Sequence, residues 1–395
     1  MASFIFRMLG FSLLCLTTVI LQVNAQVQCS ASSPCPASAP CCSEFGYCGT
    51  GRFCLGGCNP LLSFNSTSCA PNPICKSMTY NLNDTSKFIN SASYNGELTY
   101  DFTTDGQPIF SNNVVILTMA QGSKGTRIST TRYVYYGRIT AVLKTSRTQG
   151  IVTAFITMSN VKDEIDWEWV GYNLNMGQSN YFYRGVIDYQ NAATHPTNAS
   201  TFDNFHEYTI DWQETQLQWF IDGQLVRTLY KKDTLNATTG VYMYPSTPSR
   251  IQLSIWNGGE GAAGTKEWAG GQTNWNSPDI KSPGYFYAQI RSLDIKCYGQ
   301  EASNSSSQQL TSYVYGDNGN ISVSNANTVI KVATSQSLGL PQDAGNDVNN
   351  MPNITGQYIE DLKASSADIN TIALTPKNLA LTLLSLFFSN LLNLL

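Results

Sequence analysis

The stretch VKDEIDWEWVGY, Val161 to Tyr172, sets Asp163, Glu164, Asp166 and Glu168 among Ile165, Trp167 and Trp169. Read as a strand, it sends alternate side chains to opposite faces. Glu164, Asp166 and Glu168 then share one face, and Ile165, Trp167 and Trp169 share the other. The apolar set is suited to packing between two sheets, which leaves the acidic set on an open surface. Three carboxylates in one row raise each other's pKa values and cost stability unless something offsets them. In a chain with only 13% charged residues, such a row points to chemistry. Glycoside cleavage needs one ionised carboxylate to attack the anomeric carbon and a second, still protonated, to protonate the leaving oxygen. The competing readings are a metal site and a solvated structural row. The loop spacing of an EF-hand is absent, and a solvated row would more naturally alternate with Lys or Thr. No metal and no cofactor is expected. One tension stands: four strand residues span about 13 Å along the backbone, whereas retaining carboxyls lie about 5–5.5 Å apart.

Around this stretch, from about residue 76 to 298, short β-rich runs alternate with turn signals. They include NNVVILTMA, TRYVYYGRITAVLKT, IVTAFITMS, HEYTIDW, LQWFIDGQLVRTLY and SRIQLSIW. Asp222-Gly223 separates two such runs and marks a hairpin. The texture predicts an all-β domain, one β-sandwich or jelly roll. In SRIQLSIWNGGE the polar face carries Arg250, Gln252, Ser254 and Trp256. A Trp on the polar side of a strand suits a sugar platform. Downstream, GTKEWAGGQTNW brings Thr265, Trp268 and Trp275 beside Gly-rich turns. His206 and Tyr208 share a face that is placed along the groove, His206 more as a sheet residue than as a catalytic one.

Ten cysteines remain once Cys15 is assigned to a leader, and nine of them fall between Cys29 and Cys75. That density in a short segment reads as a disulfide-stapled module over residues 26–75. Zinc is the competing reading, but the region lacks histidine. Residues 1–25 read as a signal peptide, with Arg7, an apolar run and a small-residue exit before Gln26. Residues 299–365, rich in Ser, Asn, Thr and Gln, read as a disordered, glycosylated stalk. Residues 366–395 end in an apolar tail that reads as a GPI-anchor propeptide, with Ser365 as attachment site. Seven Asn-x-Ser/Thr sequons agree with secretion. The net charge of −4 gives no basic face for nucleic acid.

CCSEFGYCGTGRFC, Cys41 to Cys54, resembles the hevein-like chitin-binding module, carbohydrate-binding family 18. The resemblance implies that Ser43 bonds an N-acetyl group while Phe45, Tyr47 and Phe53 stack on sugar faces. It also implies the pairs Cys29–Cys42 and Cys35–Cys48. The remaining pairings stay open, Cys69–Cys75 being a plausible local one. Glu164-Ile165-Asp166-Trp167-Glu168 resembles the active-site strand of glycoside hydrolase family 16, a concanavalin-like β-jelly roll. That resemblance implies Glu164 as nucleophile, Glu168 as acid/base and Asp166 as the group that orients and tunes the nucleophile. The spacing fits the regular-strand branch rather than the bulged one. With the hevein-like module ahead and the GPI signal behind, the IW-x-GG…GT-x-x-WAGG elements resemble the fungal Crh family of wall enzymes. Those cut chitin and join it to β-glucan; the resemblance implies both polysaccharides as partners. It places Gln252, Trp256, Thr265 and Trp268, with Glu168, against the donor.

Overall fold

The computed structural model describes residues 27–65, 67–298, 312–315 and 330–333. The segments read as leader and GPI-anchor propeptide, and Ser365, lie outside them. The main strands are β1 (Phe88–Asn90), β2 (Phe102–Asp105), β3 (Ile109–Ser111), β4 (Val114–Ala120), β5 (Thr126–Thr130), β6 (Gly137–Lys144), β7 (Ile151–Ser159) and β8 (Glu164–Val170). They continue as β9 (Met176–Phe182), β10 (Ala193–Pro196), β11 (His206–Trp212), β12 (Gln216–Ile221), β13 (Gln224–Tyr230), β14 (Ser249–Asn257) and β15 (Tyr285–Cys297). One eight-stranded sheet runs β10-β9-β8-β7-β14-β5-β2-β1. The other runs β13-β12-β11-β6-β15-β4-β3, with Met78–Thr79 added beside β15. Every pairing is antiparallel except that of β1 with β2. This is the jelly-roll sandwich that the strand texture predicts.

Between the sheets lies one apolar core. Ile165, Trp167 and Trp169 from β8 meet Tyr208, Ile210, Trp212 and Trp219 from the facing sheet. Two of the indoles also satisfy their donors across the sandwich. Trp167 Nε1 donates to the Thr209 carbonyl at 3.2 Å, and Trp219 Nε1 donates to the Asp166 carbonyl at 3.0 Å. A buried ring with its N–H paired contributes area without an unmet polar group. The acid-bearing strand is thus fixed in depth and register from below. Tyr208 packs against Trp169 with the rings tilted and their centres 4.4 Å apart and is fully buried, and His206 pairs with Asp222 at 2.7 Å. Both sit in the opposite sheet, so neither lines the groove, contrary to the sequence reading. The face they occupy is the one that alternation turns inward. The Asp222-Gly223 hairpin forms as predicted, with both residues at positive φ.

Ahead of the sandwich, the cysteine-rich segment is held by Cys29–Cys42, Cys35–Cys48, Cys41–Cys54 and Cys58–Cys69. The first two match the pairing implied by the hevein-like pattern. The local pair Cys69–Cys75 does not form. Cys75 instead joins Cys297 at the end of β15, across 222 residues. Nothing in spacing signals that bond, because the fold alone brings the two ends of the domain together. The stretch read as stalk is also not wholly outside the fold. Ser312–Tyr315 pairs with Asn72–Pro73, and Tyr313 packs on Ile74 and Tyr133. An apolar aromatic in a polar tract had somewhere to go.

A crosslink that closes so long a loop removes much chain entropy from the unfolded state. The double variant Cys75→Ala/Cys297→Ala is expected to lose about 2–5 kcal/mol of unfolding free energy, read by denaturant titration of the purified protein.

Candidate active site

The hairpin joining β7 to β8 sets the site. Lys162 sits at positive φ in the turn, and the buried Asp163 next to it locks the entry to β8. Its carboxylate accepts from the Arg184 N–H at 2.9 Å, the Ser246 N–H at 2.9 Å and the Thr247 hydroxyl at 2.6 Å. Asp163 is therefore a structural acid, although it stands beside the three on the open face. From Glu164 to Glu168 the register with β7 and β9 is unbroken. The strand carries no bulge, as the regular-strand spacing implies.

Alternation then fixes which side chains share the concave face. Antiparallel partners point to the same side, so three rows cross the sheet perpendicular to the strands. Glu164 lies in line with Phe182, Met158 and Arg250. Asp166 lies in line with Asn180, Ile156, Gln252, Ser129 and Thr103. Glu168 lies in line with Gln178, Ala154, Ser254, Arg127 and Asp105. Beyond Ser254 along β14, Trp256 stacks on Trp268 at 6.0 Å between ring centres. Trp268 ends a short helix, α1 (Ala263–Trp268), which also carries Thr265. Its Nε1 donates to Gln178 Oε1 at 2.7 Å, which ties the helix to the row of Glu168. Trp256, Trp268 and Thr265 are half-buried, open on one side.

Electrostatics separates the three acids. Burial raises all of them, since desolvation penalises the charged form. For Asp166, which is 1% exposed, the neighbouring Glu164 and Glu168 charges add to that effect and hold its pKa well above the ordinary range. It keeps its proton and shares it with Glu164. Burial pushes Glu164 up to about 7, against the opposing pull of Lys162 and of that hydrogen bond. Burial and the Glu164 charge push Glu168 up to about 8, with no cation opposing. Glu164 is thus the first of the two glutamates to ionise, and Glu168 holds its proton longer. The Glu164 charge raises the pKa of both Glu168 and Asp166.

Other predicted residues fall differently. Gln252 is 3% exposed, beneath Arg127, whose Nη1 lies 3.4 Å from Gln252 Oε1. A sugar cannot reach it in this arrangement. In the cysteine-rich module, Phe53 is 3% exposed and packs in a buried cluster with Cys41, Cys54, Cys58 and Cys69. A Cβ at Gly49 would lie 2.5 Å from its ring, so glycine there admits the ring to the interior. Phe53 therefore has no face for a sugar, contrary to the hevein-like expectation. Ser43 is buried, its Oγ accepting from the Tyr47 N–H at 3.2 Å, and Phe45 lies against the Arg127 guanidinium. Tyr47 stays half-exposed, with its hydroxyl accepting from Gln28 at 3.1 Å. Sequence reasoning missed Lys162, Arg127, Arg250 and Glu44, whose roles depend on contacts between distant segments.

Residues 96–277 match the pattern of Glycosyl hydrolases family 16. Crh-like protein 2 of Aspergillus fumigatus is 42% identical over 356 residues, which cover 85% of this chain and 78% of that protein. Congo red hypersensitive protein 2 of Saccharomyces cerevisiae is 42% identical over 312 residues, covering 77% of this chain and 66% of that protein. Among solved structures, apo Crh5 transglycosylase superposes with a TM-score of 0.54 at 30% identity, over 70% of this chain and all of that one. Crh5 transglycosylase in complex with NAG gives a TM-score of 0.53 at 27% identity, over 68% of this chain and 99% of that one.

The raised carboxyls set a pH dependence of stability. Between 4.5, the ordinary glutamate value, and about 8, the folded protein holds protons that the unfolded chain has released. The contribution of these carboxyls to unfolding free energy therefore falls as pH rises through that window and is fully present below it. The melting temperature is expected to decline with rising pH there, with a shallower decline in Glu168→Gln. A flat profile in the native protein would contradict the raised values.

Proposed function

The chain belongs to glycosyl hydrolase family 16, among its Crh-like proteins, and from that premise we propose that it is a retaining transglycosylase that cuts chitin and joins it to β-glucan in the cell wall. The observation that carries the reading is the row Glu164, Asp166, Glu168 on the concave face. Its two glutamates differ in their hold on a proton, and an aromatic platform stands beside them.

In the first step Glu164 attacks C1 of a β-1,4-linked N-acetylglucosamine unit. The C1–oxygen bond breaks as the Glu168 proton passes to the departing oxygen. A covalent glycosyl-enzyme results, with Asp166 having oriented Glu164 through their shared proton. Glu168, now ionised, then takes the proton of an acceptor hydroxyl. That oxygen attacks C1 and Glu164 leaves with its original charge. Two inversions give retention, which transfer requires because the intermediate must wait for a sugar. Trp256 and Trp268 offer ring faces to the apolar side of a pyranose, and Thr265 a hydroxyl. Five disulfides agree with an oxidising, extracellular place of work.

A direct test incubates the secreted protein with chitin and a fluorescent laminari-oligosaccharide. Label fixed to chitin supports the proposal; soluble chito-oligosaccharides without fixed label would make the protein a hydrolase, with water as the acceptor. Glu164→Gln is expected to abolish both outcomes. Glu168→Gln is expected to slow turnover by about 10²–10⁴-fold, the usual worth of a positioned proton donor. An aryl donor whose leaving phenol needs no protonation should recover part of that loss in Glu168→Gln and none in Glu164→Gln.

A further inference from the structure

The cysteine-rich module does not hang beside the catalytic sheet; it is built onto one end of it. The Gly57 N–H donates to the Tyr133 hydroxyl at 3.0 Å and to Asn160 Oδ1 at 3.2 Å, both buried. Asn160 Nδ2 donates back to Asn72 Oδ1 at 2.9 Å. Gly56 lies so close to Arg250 that a Cβ would stand 2.6 Å from its Nη1. The Cys75–Cys297 bond fastens the segment that follows.

At the centre of this contact is Glu44, from the Ser43–Tyr47 turn that the hevein-like pattern assigns to sugar. Its side chain is 12% exposed and bridges two arginines of the concave face. Oε1 accepts from Arg127 Nη2 at 2.6 Å, and Oε2 accepts from Arg250 Nη2 at 2.7 Å. Lys162 Nζ donates to the Glu44 carbonyl at 2.6 Å. Arg127 also holds Asp105, through Nε at 2.8 Å and Nη2 at 2.6 Å. Arg250 belongs to the row of Glu164 and Arg127 to that of Glu168, so a carboxylate joining them spans the row of Asp166 that lies between. Gln252, Ser129, Thr103 and Asp105 are buried under this cover. Gln252 is two strands from Asp166, about 10 Å at the usual strand spacing.

We propose that the module is a fixed wall across this end of the cleft and that Glu44 is a specificity-determining residue, ending the run of sugar positions about two strands from the catalytic row. The proposal rests on the transglycosylase reading above, in which the Trp256 and Trp268 side of the cleft takes the donor. It makes the module's sugar-like face an internal contact rather than a second chitin anchor. The donor is then held over a short stretch, and sugars further from the scissile bond add nothing. A buried carboxylate with two guanidinium partners is not displaced by a neutral saccharide without leaving charge unpaired.

The test uses the full secreted chain, a ladder of chito-oligosaccharide donors of increasing length, and a fluorescent laminari-oligosaccharide acceptor. The native protein is expected to reach a plateau in kcat/KM at a short donor. Glu44→Ala, which opens the wall, should gain several-fold on the longest donors relative to the shortest. Glu44→Gln, which keeps the side chain's shape, should retain the native plateau. A native profile that keeps rising with donor length overturns the proposal whatever the variants do. So does a Glu44→Ala that gains equally on all donors, since Glu44 would then be a gate and not a wall. If transfer is absent and only hydrolysis occurs, the transglycosylase reading fails, and the same ladder scored by released products still decides the wall.

Discussion

Two indoles held between the sheets govern the site on the other side of the strand. Trp167 and Trp169 cannot leave the core without uncovering large apolar area, and Trp167 is also tied by its N–H to Thr209 across the sandwich. With period two along β8, their burial leaves no choice for Glu164, Asp166 and Glu168. A one-residue slip would drive three carboxyls into the core and two tryptophans into water. The core therefore pays the electrostatic cost of the acidic row, and the row stays crowded because its register has no nearby alternative.

That constraint was legible in the sequence because it is local. Alternation in nine residues gave the open face, the buried face and the unbulged register, and Asp222-Gly223 marked its hairpin. What stayed hidden lies in contacts between segments far apart in the chain. Cys75 finds Cys297 across the whole domain, and Tyr313 returns to Ile74. Phe53 looked like a sugar-stacking ring because its motif places it there. Whether such a ring faces out depends on Gly49 leaving room beneath it and on what docks above. His206 and Tyr208 were misplaced for a related reason. Alternation shows that a strand has two faces, but not which sheet it joins.

Burial alone does not set the charge state of a carboxyl in this molecule; the count of nearby cations does. Burial by itself would raise Glu44, but Arg127, Arg250 and Lys162 outweigh it and hold its pKa at about 2. Glu164, equally removed from water, has Lys162 alone and lies at about 7. Glu168 has none and lies at about 8. The same desolvation thus yields a permanent anion where the module is clamped and a proton donor where bonds are to be broken.

Lys162 connects the two ends of that series. It stands in the β7–β8 turn, donates to the Glu44 backbone carbonyl, and lowers the pKa of both Glu44 and Glu164. Burial lowers the pKa of the lysine, Arg127 and Arg250 act in the same direction, and Glu44 and Glu164 oppose them. A module docked through Glu44 therefore does more than occupy space. It supplies one of the two anions that favour the charged form of Lys162 beside the nucleophile, and that charge in turn favours an ionised Glu164. The contact that bounds the cleft and the charge that prepares it for attack are thereby one electrostatic unit, spread over segments that the chain keeps more than a hundred residues apart.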